Sequence, residues 1–138
     1  MDREVIEQKL ESLRRCVVRV REKCPEAPEI LATDPDAQDI VALNLTRAIQ
    51  ICVDIGAHLI ASKEIPTPET MGGTFDALAD LGYIDLAQAI RLKKAVGFRN
   101  IAVHNYQAID WHIVHAIVSR NLSDFDDFAR VVAMKIAL

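Results

Sequence analysis

Residues 40–60 read IVALNLTRAIQICVDIGAHLI, and this stretch decides the fold because it is apolar on most of its circumference when drawn as a helix. Other elements must cover a helix of that kind on most sides. Asp34 and Pro35 provide an N-cap residue and a proline at the first helical position, so we expect the helix to begin there and to reach about Ser62. The sequence therefore predicts a central helix with the remaining chain packed around it.

The segment before the central helix is also helical in its periodicity. From about Arg3 to Cys24, apolar residues follow one another at spacings of 4, 3, 4, 3 and 4, which places them in one stripe. Pro25 ends this helix, and we expect the chain after Pro28 to be irregular. Prolines and glycines in residues 63–73 predict a second irregular segment.

The second half of the chain divides into three further helices and a turn. In order, we expect a short helix at about 74–81 closed by Gly82, a helix from Asp85 to about His104, a turn at 105–108, and a last helix from Asp110 to the C-terminus with a kink near Ser123. Long helices with short connections predict an all-α, up-and-down bundle of about five helices that forms one domain, residues 1–138.

Composition supports a globular protein in the cytoplasm. Hydrophobic residues make up 51% of the chain, which is enough for a core. There is no signal-peptide pattern and no uninterrupted apolar run of about 18 residues, so we expect no membrane span. The net charge of −4 argues against a protein that coats nucleic acid, although a local cationic cleft can still operate on an acidic protein.

The cysteines and two of the histidines give no sign of a metal site or cofactor. Cys16, Cys24 and Cys52 are odd in number and have no CxxC spacing, so we interpret them as free thiols. His112 and His115 have a spacing that two metal ligands on a helix could use, but we interpret them as surface or interface histidines.

Residues 99–106, RNIAVHNY, contain the combination that favours a chemical function. Histidine exchanges a proton near neutral pH, and arginine binds a phosphate through two hydrogen bonds and stabilises developing negative charge, so His104 and Arg99 suit RNA cleavage by the 2′-hydroxyl without a metal. Arg91, Lys93 and Lys94 lie upstream on the same predicted helix and make this the densest basic patch of the chain.

The spacing of these two residues raises a geometric question. Five positions on a continuous helix place Arg99 and His104 roughly 140° apart around the axis, so they do not face one phosphate. Either the helix loosens before His104, or two copies of the segment meet across a dimer interface. We favour the second alternative.

The segment matches the R-x4-H-x-Y motif of HEPN-domain toxins, and the chain resembles the HepT-like family in particular. The resemblance covers most of the chain and includes residues 48–60 of the central helix, residues 75–78, residues 81–84 and the sequence Gly97-Phe-Arg-Asn100.

The resemblance implies a two-fold dimer with a metal-independent endoribonuclease site in a cleft at its interface. Arg99 and His104 take the family's catalytic places, and Asn100 matches a polar residue that often follows the arginine. The resemblance also implies a toxin–antitoxin pair of type II or type VII, whose antitoxin is a minimal nucleotidyltransferase. That partner would silence the toxin by adding AMP to Tyr106, because phosphate charge and bulk there would block RNA.

A polar stripe on the central helix has two interpretations. It consists of Arg47, Gln50, Asp54 and His58. It is either the solvent side of a mostly buried helix or a face of the catalytic cleft. In the second case Asp54 could orient His104 or pair with Arg99, and Arg47 could contact a phosphate.

Two other functions compete with the ribonuclease. One is a non-catalytic HEPN module that presents a nucleotide or another substrate to a nucleotidyltransferase. The other is a structural dimerisation bundle. The sequence contains no base-reading motif, so it does not predict which RNA is cut.

Overall fold

The computed structural model describes residues 2–137, and its described part is helical with no strand. The helices are α1 (Arg3–Lys23), α2 (Pro28–Leu31), α3 (Pro35–Ala61), α4 (Met71–Asp80), α5 (Leu86–His104), α6 (Trp111–Asn121) and α7 (Ser123–Ala137), with a 3-10 turn at Tyr106–Ala108 between α5 and α6. The predicted all-α bundle is confirmed.

Aspartate caps set the starts of three helices where the sequence predicted them. Asp34 accepts hydrogen bonds from the backbone N–H groups of residues 36 and 37, Asp85 accepts one from Gln88, and Asp110 accepts from residues 112 and 113. Each carboxylate satisfies donors that have no partner inside the first helical turn.

Two boundary predictions were wrong. Pro28 begins the short helix α2 instead of an irregular segment, since a proline at the first helical position is already set for the helical backbone. Helix α4 begins at Met71, three residues early, because the side chain of Thr70 caps the N–H of Gly73. The kink predicted near Ser123 is confirmed as a break at Leu122, which divides the last predicted helix into α6 and α7.

Helix α3 lies at the centre of the bundle. Its contacts are with α1 along one side, with the α4–α5 hairpin on another, and with α2 and α7. Ile55 and Leu59 of α3 are fully enclosed. Phe75 of α4 meets Phe128 of α7 edge to face with ring centroids 6.5 Å apart, which joins the hairpin to the C-terminal helix.

The length and apolar character of α3 also match a membrane-spanning helix. Among residues 2–137 it is the one helix that passes that test, with a mean hydropathy of 1.4 over 18 residues. However, 56% of that window is buried inside the bundle, as is usual for a core helix. Cys16 and Cys52 are buried in the same core, and burial raises the pKa of both thiols, so they act as small core residues.

Two helix glycines allow a matched test of packing. A methyl group on Gly56 of α3 would lie 2.6 Å from Cγ2 of Thr74 and 3.0 Å from Cδ1 of Leu78, whereas one on Gly97 of α5 would meet nothing within 4 Å. We expect Gly56→Ala to lower the free energy of unfolding by about 1–3 kcal/mol through overpacking. Gly97→Ala should raise it by about 0.5–1 kcal/mol, because alanine favours the helix.

Urea unfolding followed by circular dichroism measures both changes. Equal midpoints for the two variants would contradict the tight α3–α4 contact.

Candidate active site

Helix α5 remains regular to its end at His104. The backbone N–H of Asn105 donates to the carbonyl of Ile101 over 2.8 Å and closes the last turn. The alternative in which the helix loosens before His104 is therefore wrong. Arg99 and His104 leave the same regular helix in directions about 140° apart, and no hydrogen bond joins them in the described chain.

Arg99 is half-buried, and its guanidinium is incompletely paired. Its Nε is enclosed and has no hydrogen-bond acceptor among the described residues, while Nη1 donates to Oδ1 of Asn100 over 3.3 Å. A buried donor without a partner costs about 1–3 kcal/mol, so native proteins rarely leave one. Such a group is typical of a side chain held for binding or catalysis.

Asn100 links the two sides of the motif. Asn100 and His104 are four residues apart, so their side chains share one exposed face of α5. The same Asn100 side chain accepts the bond from Arg99. Arg99 therefore contacts Asn100, and Asn100 shares a helix face with His104, but Arg99 and His104 do not touch.

Tyr106 begins the 3-10 turn that follows α5, and its hydroxyl is held by α3. The hydroxyl donates to Oδ1 of Asp39 over 2.6 Å, and its ring meets Trp111 edge to face at 5.8 Å between centroids. Burial raises the pKa of the Tyr106 phenol, and the hydrogen bond to Asp39 and the negative charge of Asp39 raise it further. The phenol is therefore protonated at neutral pH.

Asp39 was not predicted from the sequence. It lies 67 residues before Tyr106 and belongs to no motif, so only the antiparallel packing of α3 against α5 brings the two together. A shallow pocket beside this pair is lined by Leu43 and Thr46 of α3 and by Val103 of α5. Leu43 and Val103 are each 50% exposed, which leaves an apolar patch next to the motif.

The polar stripe of α3 does not contact the motif within one protomer, although one interpretation of the sequence placed it beside the motif. Asp54 accepts a hydrogen bond from Gln50 over 3.0 Å and lies 3.8 Å from the ammonium of Lys9 on α1. Within one protomer Asp54 therefore contacts neither His104 nor Arg99, and its place in a cleft between two protomers stays a prediction. Arg47 is exposed and lines a groove between α1 and α3.

Two of the three cations in the basic patch of α5 form ion pairs with carboxylates of other helices. Arg91 forms two hydrogen bonds, of 2.8 and 2.9 Å, with the buried carboxylate of Asp124, and Lys93 pairs with Asp76 at 3.1 Å. Lys94 alone of the three has no ion pair in the described chain. Arg91 is therefore bound to a buried carboxylate, whereas the Lys93–Asp76 pair lies on the surface and contributes little stability.

The remaining histidines form no metal cluster. Nε2 of His115 lies 2.8 Å from the carbonyl of Pro25, and its Nδ1 lies 3.2 Å from the hydroxyl of Ser119, while His112 is exposed. No group of three or more potential metal ligands comes together between residues 2 and 137.

Comparisons with known proteins give consistent matches over nearly the whole chain. A model of the family described as Ribonuclease HepT-like matches residues 5–132. The chain is 33% identical to the mRNA nuclease HepT of Shewanella oneidensis over 129 residues, which covers 94% of this chain and 96% of that protein.

Solved structures agree with the sequence matches. The tri-AMPylated HEPN toxin of Shewanella oneidensis, in complex with MNT antitoxin, is 33% identical, with a TM-score of 0.89 and coverage of 97% of this chain and 99% of that one. A toxin–antitoxin structure with AMP-PNP has the same TM-score at 32% identity, with coverage of 95% and 98%.

The Asp39–Tyr106 contact predicts a measurable titration. In a Tyr83→Phe background Tyr106 is the sole tyrosine, and we expect its phenolate absorbance to appear above the usual pH of about 10. Asp39→Asn removes the negative charge that opposes ionisation, so the transition should move to lower pH. Identical ultraviolet titrations with and without Asp39 would contradict the contact.

Proposed function

This chain belongs to the HepT-like family, and from that membership we propose that it is the toxin of a toxin–antitoxin pair that cleaves RNA in the cytoplasm. The observation that carries the proposal is the incompletely paired Arg99 guanidinium, connected through Asn100 to the exposed face of His104. The relative from Shewanella is an mRNA nuclease, and we extend that class of substrate to this chain.

We propose a metal-independent transfer within the RNA. The 2′-oxygen attacks the adjacent phosphorus as a base removes its proton, and the bond from phosphorus to the 5′-oxygen breaks as an acid protonates that oxygen. The products are a 2′,3′-cyclic phosphate and a 5′-hydroxyl. His104 exchanges the protons, and Arg99 stabilises the charge on the pentacoordinate phosphorus. Asn100 positions Arg99 through its side-chain oxygen.

The chemistry needs two proton carriers, and one protomer supplies one motif histidine. We therefore propose that a two-fold dimer places two copies of α5 around one cleft, so that one His104 acts as base and the other as acid. The exposed apolar patch of Leu43 and Val103 supports an interface at this edge of the bundle.

We further propose that a minimal nucleotidyltransferase is the partner and that it attaches AMP to Tyr106. The solved relative is AMPylated and bound to MNT antitoxin, which supports this partner class. Transfer forms a bond from the Tyr106 oxygen to the α-phosphorus of ATP and releases pyrophosphate. Asp39, hydrogen-bonded to the hydroxyl, is placed to accept the phenolic proton.

The ribonuclease is tested by expressing the wild type, His104→Ala and Arg99→Ala without an antitoxin. We expect the wild type to arrest growth and fragment RNA, and each variant to lose at least about 100-fold of the cleavage rate, the scale of general acid–base catalysis. His112→Ala is the control, because His112 is an exposed histidine on α6 that is not part of the R-x4-H-x-Y motif.

Purified protein then completes the test. Cleavage that continues in EDTA and leaves cyclic phosphate ends supports the proposed chemistry. Nucleotide binding without any RNA cleavage would favour the non-catalytic module that serves a nucleotidyltransferase. If His104→Ala changed neither growth nor RNA, a structural bundle would be the better interpretation.

The proposed silencing of the toxin by AMP leads to a separate prediction, which concerns Tyr106. Tyr106→Phe removes the hydroxyl that would receive AMP, so this variant should still cleave RNA but incorporate no labelled AMP from the nucleotidyltransferase and remain toxic in its presence. Tyr83→Phe is the control, since it removes the other tyrosine of the chain. Equal labelling of both variants would exclude Tyr106 as the modified residue.

A further inference from the structure

A groove of about 560 Å³ runs between α1 and α3, next to the candidate site and outside the R-x4-H-x-Y motif. Three arginines line it: Arg15 and Arg19 of α1, and Arg47 of α3. All three are exposed, and no aspartate or glutamate lines the groove. The groove therefore presents cations to solvent on a chain whose net charge is −4.

The charges in the groove are poorly neutralised by the fold. Arg19 and Arg47 have no carboxylate within ion-pair distance among residues 2–137, and Arg15 lies 3.5 Å from Glu11, which it shares with Arg14. Arg15 and Arg19 are also four residues apart on one helix, where like charges repel. Some cations elsewhere in the chain are paired across helices, as Arg91 is with Asp124 and Lys93 with Asp76.

The groove is continuous with the motif through one side chain. Leu43 lines both the arginine groove and the pocket that contains Tyr106 and Val103. Asp39, Leu43 and Arg47 are spaced four residues apart on α3, so they lie on one face of that helix. Asp39 holds the Tyr106 hydroxyl, which places Arg47 roughly 12 Å along the helix from that anchor.

The lining of the groove suits a nucleic-acid backbone and not its bases. Guanidinium groups bind phosphate oxygens through paired hydrogen bonds, and Ser12 and Gln50 add neutral polar groups. The rest of the lining is mainly apolar and includes Ile40, Leu43 and Ile51. No aromatic side chain lines the groove, so it offers no surface on which bases could stack. Contacts of this kind position a strand without reading its sequence.

We propose that Arg15, Arg19 and Arg47 bind the backbone phosphates of the RNA strand that extends from the cleaved bond. This inference rests on the proposed ribonuclease function and adds a second binding region to it. The groove would increase affinity for long RNA, while a short RNA that occupies only the motif would not reach it.

The test uses the full chain with His104→Ala, so that RNA stays intact during binding. A triple variant, Arg15→Gln with Arg19→Gln and Arg47→Gln, is compared with a charge-matched triple variant, Arg3→Gln with Arg120→Gln and Arg130→Gln. The control arginines are also exposed, and none of them lines the groove. Circular dichroism verifies that both variants fold.

Fluorescence anisotropy with single-stranded RNA of about 20 nucleotides, over a range of salt concentrations, gives the readout. Loss of three phosphate contacts should reduce the slope of log binding constant against log salt concentration by about 2 in magnitude, at roughly 0.7 per contact. It should also weaken binding at least about tenfold at low salt. The control variant should retain nearly the wild-type slope. An RNA of about 4 nucleotides should bind both variants equally.

The outcomes separate this inference from the function on which it rests. If the chain with native His104 cleaves RNA but the groove variant keeps the slope and affinity of the control variant, the groove assignment is wrong and the ribonuclease stands. If the groove variant binds RNA like the control variant but no longer forms a complex with the nucleotidyltransferase, the groove is a protein interface and the assignment is again wrong. If the chain neither binds nor cleaves RNA, both proposals fail.

Discussion

The burial of α3 is the constraint on which the rest of the structure depends. An apolar helix of 27 residues must be removed from water on most of its surface, and α1, α4, α5 and α7 all pack against it. The cover is incomplete over the first half of α3, where Leu43 and Arg47 are exposed. The motif at the end of α5 lies beside this uncovered part, so the candidate site occupies the place where the bundle leaves its central helix accessible.

Local chemistry explains which parts of the fold could be predicted from the sequence. The stripe of α1, the apolar character of α3 and the aspartate caps at residues 34, 85 and 110 are all properties of a few neighbouring residues, and each gave the correct element. The start of α4 was missed because glycines 72 and 73 indicated a loop, although the cap from Thr70 keeps them helical. The kink predicted near Ser123 corresponds to the division between α6 and α7 at Leu122.

The candidate site could be located from the sequence but its contacts could not be predicted. The motif locates the candidate site at the end of α5 and the start of the 3-10 turn, because residues 99 to 106 are contiguous in the sequence. Its partners depend on tertiary packing: the Tyr106 hydroxyl reaches Asp39, and Asp54 is paired with Lys9 instead of a motif residue. The same limit made the basic patch of α5 look stronger than it is, since Asp124 is 33 residues from Arg91 in sequence and adjacent to it in the fold.

The cations on two sides of the bundle differ in whether they have carboxylate partners. Where α5 packs against α4 and α7, carboxylates from those helices pair with Arg91 and Lys93, which weakens the positive field of these two cations. On the side of α3 that faces α1, Arg19 and Arg47 have no such partner in the described residues, and Arg99 of α5 holds an unsatisfied donor. Unpaired cations repel one another and an unsatisfied donor is destabilising, so folding alone does not favour this arrangement. An anion that approaches from outside removes both costs, and on an acidic surface the positive region around α1, α3 and the end of α5 is where a polyanion would be attracted.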